Sequence, residues 1–201
     1  MAQTATNVVY SAPKASGCVY RAPEGTTAPT DASAALDKAF ECVGYINSDG
    51  VNENHSLSSE SVQDYGQRTV LVIDGADEVT VDFTPIEYGN PTMQSAIYNS
   101  SNVKSSGGKL TSVTINDSAK EVCVYVFEHV LSNGRIERDV YPRAKVTGID
   151  ALNYSKSSAL GPKLTLTALV DNDGNKGYKY FADAADAADV QAEADKTKAA
   201  N

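Results

Sequence analysis

The sequence predicts a mainly β fold: a β-sandwich or barrel protomer with one short flanking α-helix, a long N-terminal arm and a long polar loop. Three observations predict it. Val122, Val124 and Val126 alternate with Cys123, Tyr125 and Phe127, and a strand apolar on both faces belongs in the middle of a sheet. Asn133-Gly134 follows closely, a strong hairpin signal because a type I′ turn needs positive φ at both central residues. About seven or eight strand-like runs stand against one clear helix start, so sheet must supply the core.

In chain order, residues 1–30 read as an arm. It carries Pro13, Pro23 and Pro29 and few apolar residues, and a lone arm of that kind is mobile. It also holds two similar units, Val8-Val9-Tyr10-Ser11-Ala12-Pro13 and Cys18-Val19-Tyr20-Arg21-Ala22-Pro23. A β domain over residues 31–181 follows. Asp31 is placed to cap a short helical turn through Ala34, Leu36 and Phe40, and residues 41–46 form a short strand.

Residues 47–66 make a long polar loop carrying Asp49, Glu53, His55, Glu60 and Asp64. A polar insertion of this length is either a flexible surface loop or an arm that orders on a partner subunit. Residues 67–74 and 78–84 form a hairpin across Asp74-Gly75-Ala76-Asp77. In its second strand Val79, Val81 and Phe83 face the core, and Glu78, Thr80, Asp82 and Thr84 face water.

Asn90 before Pro91 starts a helix with Met93, Ala96 and Ile97 turned inward. Residues 102–109 are loop, and 111–116 a strand with Val113 and Ile115 on one face. After the Asn133-Gly134 turn, Ile136, Arg138 and Val140 alternate with Arg135, Glu137 and Asp139, which suggests a charged strand at the rim of the sheet. Pro142 within that run has no N–H to donate, so it marks an edge, a bulge or a strand changing sheets. Residues 163–170, with Leu164, Leu166 and Ala168 on one face, form the last core strand. Asp171-Asn172-Asp173-Gly174 turns the chain into residues 175–181. The Ala/Asp tract over residues 182–201 has no apolar stripe and reads as a solvated tail or marginal helix outside the core.

Composition narrows the function. The 201 residues carry a net charge of −9 and an isoelectric point near 4.7. A protein that holds nucleic acid tightly needs a basic footprint. An acidic surface instead suits a wall past which a polyanion moves without sticking. Cys18, Cys42 and Cys123 form no C-x-x-C motif and read as reduced thiols of a cytosolic product. The N-terminus lacks the apolar core of a secretory signal, and no run reaches transmembrane length, so no membrane is expected.

Nothing in the sequence forms a catalytic constellation. His55 and His129 are the only histidines, and neither lies in a hydrolase or zinc motif. Asp171-Asn172-Asp173-Gly174-Asn175 looks like a calcium loop, but Gly stands fourth and Ala182 twelfth, where an EF-hand needs Gly sixth and Glu twelfth. No enzyme activity, metal or cofactor is expected. An Ig-like binding or decoration module is the alternative to a self-assembling scaffold, and the 11 Tyr residues leave it open.

The pattern that decides between them is distributed. Thr6-Asn7-Val8-Val9, Lys14, Gly17 and Val19-Tyr20 lead into Ala22-Pro23-Glu24-Gly25-Thr26-Thr27-Ala28-Pro29-Thr30-Asp31-Ala32 and Leu36-Asp37-Lys38-Ala39-Phe40. Val43-Gly44-Tyr45-Ile46-Asn47-Ser48-Asp49-Gly50-Val51, Val140-Tyr141-Pro142-Arg143-Ala144-Lys145-Val146-Thr147 and Leu164-Thr165-Leu166-Thr167-Ala168 follow in order. Over residues 6–181 this resembles the major tail (tail tube) proteins of long-tailed, non-contractile bacteriophages.

The resemblance implies a structural virion protein that closes into hexameric rings stacked as a tube. Its partners would be other copies of itself, the tape measure protein, and the tail terminator and distal tail proteins. DNA would touch it only in passage. It would lie in the phage tail, and in the host cytoplasm during assembly. On this reading Glu78, Thr80, Asp82 and Thr84 are candidates to face the lumen. Asp49, Glu53, His55, Glu60 and Asp64, within an inter-ring loop at 47–66, are candidates for subunit contacts, as are Arg135, Arg138 and Arg143. A lumen-facing acid must not pack into its own core.

Overall fold

A computed structural model describes residues 3–14 and 16–183 of the chain. Strands β1 (Ser11–Pro13), β2 (Val19–Pro23), β3 (Glu41–Cys42) and β4 (Ile46–Ser56) come first, then β5 (Ser59–Gln63), β6 (Thr69–Asp74) and β7 (Glu78–Pro85). Helix α1 (Pro91–Tyr98) precedes β8 (Val103–Ser106) and β9 (Lys109–Val113). The long strands β10 (Val122–Leu131) and β11 (Arg135–Ile149) are followed by β12 (Leu164–Ala168) and β13 (Tyr178–Asp183). Among the described residues the fold is mainly β with one short α-helix, as the sequence predicts.

The main sheet runs in the order β3-β2-β10-β11-β12-β7-β4, with β1 also on β10 and β13 also on β11. Its pairs are antiparallel. The two similar units of the supposed arm lie one after the other on the same edge of β10. Ala12 pairs with Val130, and Ala22 with Val124. The second half of that arm is therefore part of the sheet, because Val19 and Ala22 are buried there.

Inward residues of β10 (Cys123, Tyr125, Phe127) and β7 (Val81, Phe83) join one core with Met93, Ala96 and Ile97 of α1. The ring centroids of Phe83 and Phe127 lie 5.6 Å apart, although β11 and β12 stand between their strands. The sheet is curled into a barrel-like shell. On the opposite face of β10 and β11, Val124, Val126 and Val140 are also buried, and the turns at Asp31–Ala34 lie against that side, held by Arg138.

Local chemistry explains several elements. The Asn90 side chain caps α1 by accepting from the Thr92 N–H at 2.9 Å, with Pro91 at the first turn. Only Gly134 in the β10–β11 loop has positive φ, and its N–H donates to the Leu131 carbonyl at 2.9 Å. That makes a three-residue loop with Gly in the left-handed position, not the expected type I′ turn. Gly107 and Gly108, at φ 57° and 74°, instead supply a two-residue turn joining β8 and β9. Residues 102–109 are thus largely a hairpin rather than a loop. Ile115 lies beyond β9 and is exposed.

Four further expectations change. Asp31 accepts from the Ser33 and Ala34 N–H groups at 2.7 and 2.5 Å, but turns rather than a helix follow it. Residues 47–66 are not a loop: β4 continues to Ser56 on the edge of β7, and β5 follows. The expected hairpin partner of β7 is wrong, because β6 pairs with β5 and β7 with β4 and β12. The charged strand is not at the rim. β11 lies inside the sheet, bonded to β10 on one edge and to β13 and then β12 on the other. Pro142 stands between those two partners, beside the register shift against β10, where a missing N–H costs no ladder bond. Beyond β12 a further strand, β13, extends to Asp183. Residues 184–201 of the expected tail lie outside the described residues.

Candidate functional site

Two surfaces stand out, one polar and flat, the other apolar and projecting. The polar surface is the side of β4, β7, β12 and β11 turned away from the core. Asn52 lies opposite Asp82 and Asn54 opposite Thr80. Thr165 and Thr167 lie opposite the same two residues from β12, and Lys145 is opposite Thr167 from β11. Thr147 and Thr167 hydroxyls are 2.8 Å apart, and Thr165 Oγ1 donates to Asp82 Oδ1 at 2.6 Å. The result is a continuous band of hydroxyl and amide groups across four strands.

Glu78, Thr80, Asp82 and Thr84 all lie on this band by strand alternation. Asp82 keeps 15% of its side chain exposed, and Lys163 Nζ is 3.0 Å away. Burial raises its pKa, but Thr165 and Lys163 outweigh burial and hold the carboxyl below its usual range. Its neighbours are polar groups of its own face, not the core. The band is therefore nearly neutral here, rather than the bare acidic wall that the net charge alone suggests. Sequence reasoning missed Thr165, Thr167 and Lys145 as its members, although Leu164 and Leu166 alternate with the two threonines.

The projecting surface is the β5–β6 hairpin, a separate two-stranded sheet. Val70, Leu71, Val72 and Ile73 are 49–63% exposed in succession. Asp64 is held within the hairpin by Arg68, whose Nε lies 2.9 Å from Asp64 Oδ2, and Glu60 is exposed on β5. The apolar run of β6 was legible in the sequence; its isolation was not.

The remaining candidates divide. Arg135 pairs with Asp183 at 3.2 Å and Arg143 with Glu24 at 3.0 Å, both on the surface. Arg138 is only 1% exposed. It bonds Glu128 and the carbonyls of Asp31 and Ala34 within its own chain, so it is not available to a neighbour. Asp49 accepts from Asn47 Nδ2 at 2.6 Å on the surface. Glu53 turns toward the barrel interior with Val81 opposite it and is bonded at 2.5 Å to His55, which stays exposed. Among the described residues no cluster of ligating side chains forms a metal site, and no helix is long and apolar enough to cross a membrane.

A family model described as phage tail tube protein matches residues 1–192. The chain belongs to that family. Comparison with curated proteins gives no match. The phage tail tube family is a structural, non-enzymatic one, and membership places the chain in the virion tail as a protein that assembles with itself into the tube. Both surfaces described above suit such assembly: a tube subunit must meet neighbours and must also present a wall.

Proposed function

We propose that this tail tube protein closes into hexameric rings, that the rings stack through the β5–β6 hairpin, and that the tube conducts the genome during ejection. The observation that carries this is the hairpin itself. Its four consecutive apolar residues are 49–63% exposed, and an isolated two-stranded hairpin is marginal in water without a surface to cover it. A second copy in an adjacent ring supplies that surface at every level of a tube, with heterologous contacts repeated along the axis.

The band bearing Glu78, Thr80, Asp82 and Thr84 faces the lumen on this reading. Hydroxyl and amide groups with locally balanced charge give a polyanion no dense array of cations to bind, so DNA slides. Asp49, His55, Glu60, Arg135 and Arg143 remain surface candidates for contacts between copies. Tape measure, terminator and distal tail proteins would meet the same lumen and ring faces, with assembly in the host cytoplasm.

Electron microscopy of the purified chain tests the proposal. The parent forms sixfold rings and tubes; Leu71→Asp with Ile73→Asp leaves a folded protomer, or single rings that do not stack. Tubes formed equally well by the double variant would refute the role of the hairpin.

A further inference from the structure

Helix α1 closes the end of the barrel reached by β7 at Pro85. The other end is filled differently. Three carboxylates there surround one ammonium group: Lys179 Nζ lies 2.8 Å from Glu53 Oε2, 3.1 Å from Asp139 Oδ2 and 3.6 Å from Glu137 Oε1. They line a cavity of about 170 Å³ with Phe127, His129 and Tyr141.

β7 and β1 bring only Val81 and Ser11 to this cavity; the other strands around it bring titratable groups. β4 brings Glu53 and His55, β11 brings Glu137, Asp139 and Tyr141, and β13 brings Lys179. From β10, His129 Nε2 is 4.0 Å from Asp139 Oδ2, and Cys18 Sγ lies 4.0 Å from the other ring nitrogen. Tyr141 donates to Glu53 Oε2 at 2.8 Å. The cluster also spans a seam. β4 ends the strand order and β13 is bonded only to β11, yet Lys179 of β13 meets Glu53 of β4.

Asp139 is the unbalanced member. It is 6% exposed, and its Oδ1 is buried with no hydrogen-bond partner among the described residues. Its other oxygen shares one lysine with two further carboxylates. A buried charge in that setting is costly, and a proton removes the cost. We propose that Asp139 is a proton switch that tightens the β4–β13 seam as the pH falls from neutral to mildly acidic.

Burial pushes the Asp139 carboxyl up to about 6; Lys179 pulls it down, while Glu137 and Glu53 push it further up. The folded chain thus binds a proton that the unfolded chain releases, so this contribution strengthens as pH falls through about 6 toward the ordinary Asp value. Burial raises Glu53, but its bonds to Lys179, His55 and Tyr141 hold it at about 2, and it stays ionised throughout that window. Burial lowers His129 below its ordinary value, with Glu137 opposing and Lys179 reinforcing; its protonation in acid works the other way. The inference concerns the single chain and does not rest on the tube reading.

Amide hydrogen exchange on the unassembled full chain, corrected for intrinsic rates, tests it. Between about pH 7.5 and about pH 5 the β13 amides gain protection, about tenfold from the Asp139 proton alone. In Asp139→Asn that gain disappears, and protection at the higher pH equals or exceeds the parent's. An unchanged pH response in Asp139→Asn overturns the proposal. If the variant does not fold, the carboxyl carbon of Asp139 in the parent is titrated by NMR: a midpoint near 6 supports the switch, and one below about 4.5 overturns it.

Discussion

Phe83 and Phe127 meet edge to face, their rings inclined by 76°, although three hydrogen-bonded steps separate β7 from β10 in the sheet. In a flat sheet those steps would hold them roughly 14 Å apart. The contact therefore measures the curl that makes the sheet a shell. Tyr141 extends the stack, with its ring 5.8 Å from Phe127.

Truncating either ring of that pair opens the centre of the shell. Phe83→Ala and Phe127→Ala each lose about 3–5 kcal/mol of stability in urea unfolding. The double variant loses less than the sum by about 0.5–1.5 kcal/mol, the share of the edge-to-face contact. Additive losses would show that the rings do not interact directly.

Arg138 and Glu128 form an ion pair buried at both ends, with Lys14 also on Glu128 at 2.9 Å. Glu128→Gln removes the countercharge and costs about 3–5 kcal/mol. It also frees the turns at Asp31–Ala34, whose carbonyls Arg138 holds at 2.8 and 2.9 Å. Limited proteolysis shows faster cleavage there than in the parent.

Arg143 behaves oppositely. Its pair with Glu24 is solvent-exposed on both sides, so Arg143→Glu changes protomer stability by under about 1 kcal/mol. If it meets a neighbouring copy, tube growth followed by light scattering slows while the melting temperature holds. Growth at the parent rate removes Arg143 from the contact surfaces.

Gly161 lies where the β11–β12 connection crosses the end of β7. A Cβ there would fall 1.8 Å from the Pro85 carbonyl oxygen. Gly161→Ala forces backbone apart and destabilises by at least about 1–3 kcal/mol. Gly89→Ala is the control: nothing lies within 4 Å of the added carbon, and denaturant unfolding changes by under about 0.5 kcal/mol.

Much of the fold was legible because it is locally encoded. The two-sided apolar run of β10, the Asn90 cap with Pro91, and the inward face of α1 each follow from a few adjacent residues. Partner choice was not local. β6 looked like the natural mate of β7 across Asp74-Gly75-Ala76-Asp77, yet β7 took β4 and β6 took β5. β4 was not legible as a strand because Glu53 and His55 put polar side chains where a half-buried strand shows apolar alternation. Arg138 is in phase with Ile136 and Val140, both buried; that phase was a signal for a buried cation, but its partner Glu128 was not visible in it.

The sequence by itself determined a β protein with one short helix, a polar strand face on β7 and the tail tube resemblance that the family match supports. Those properties live in alternation, caps and ordered motifs. Only the tertiary structure decided which strands pair, that the shell curls until Phe83 reaches Phe127, and that Glu53, Glu137, Asp139 and Lys179 share one mouth of the barrel. These depend on which distant surfaces fit together, and non-local pairing is selected by whole-core packing rather than by any segment's own preference.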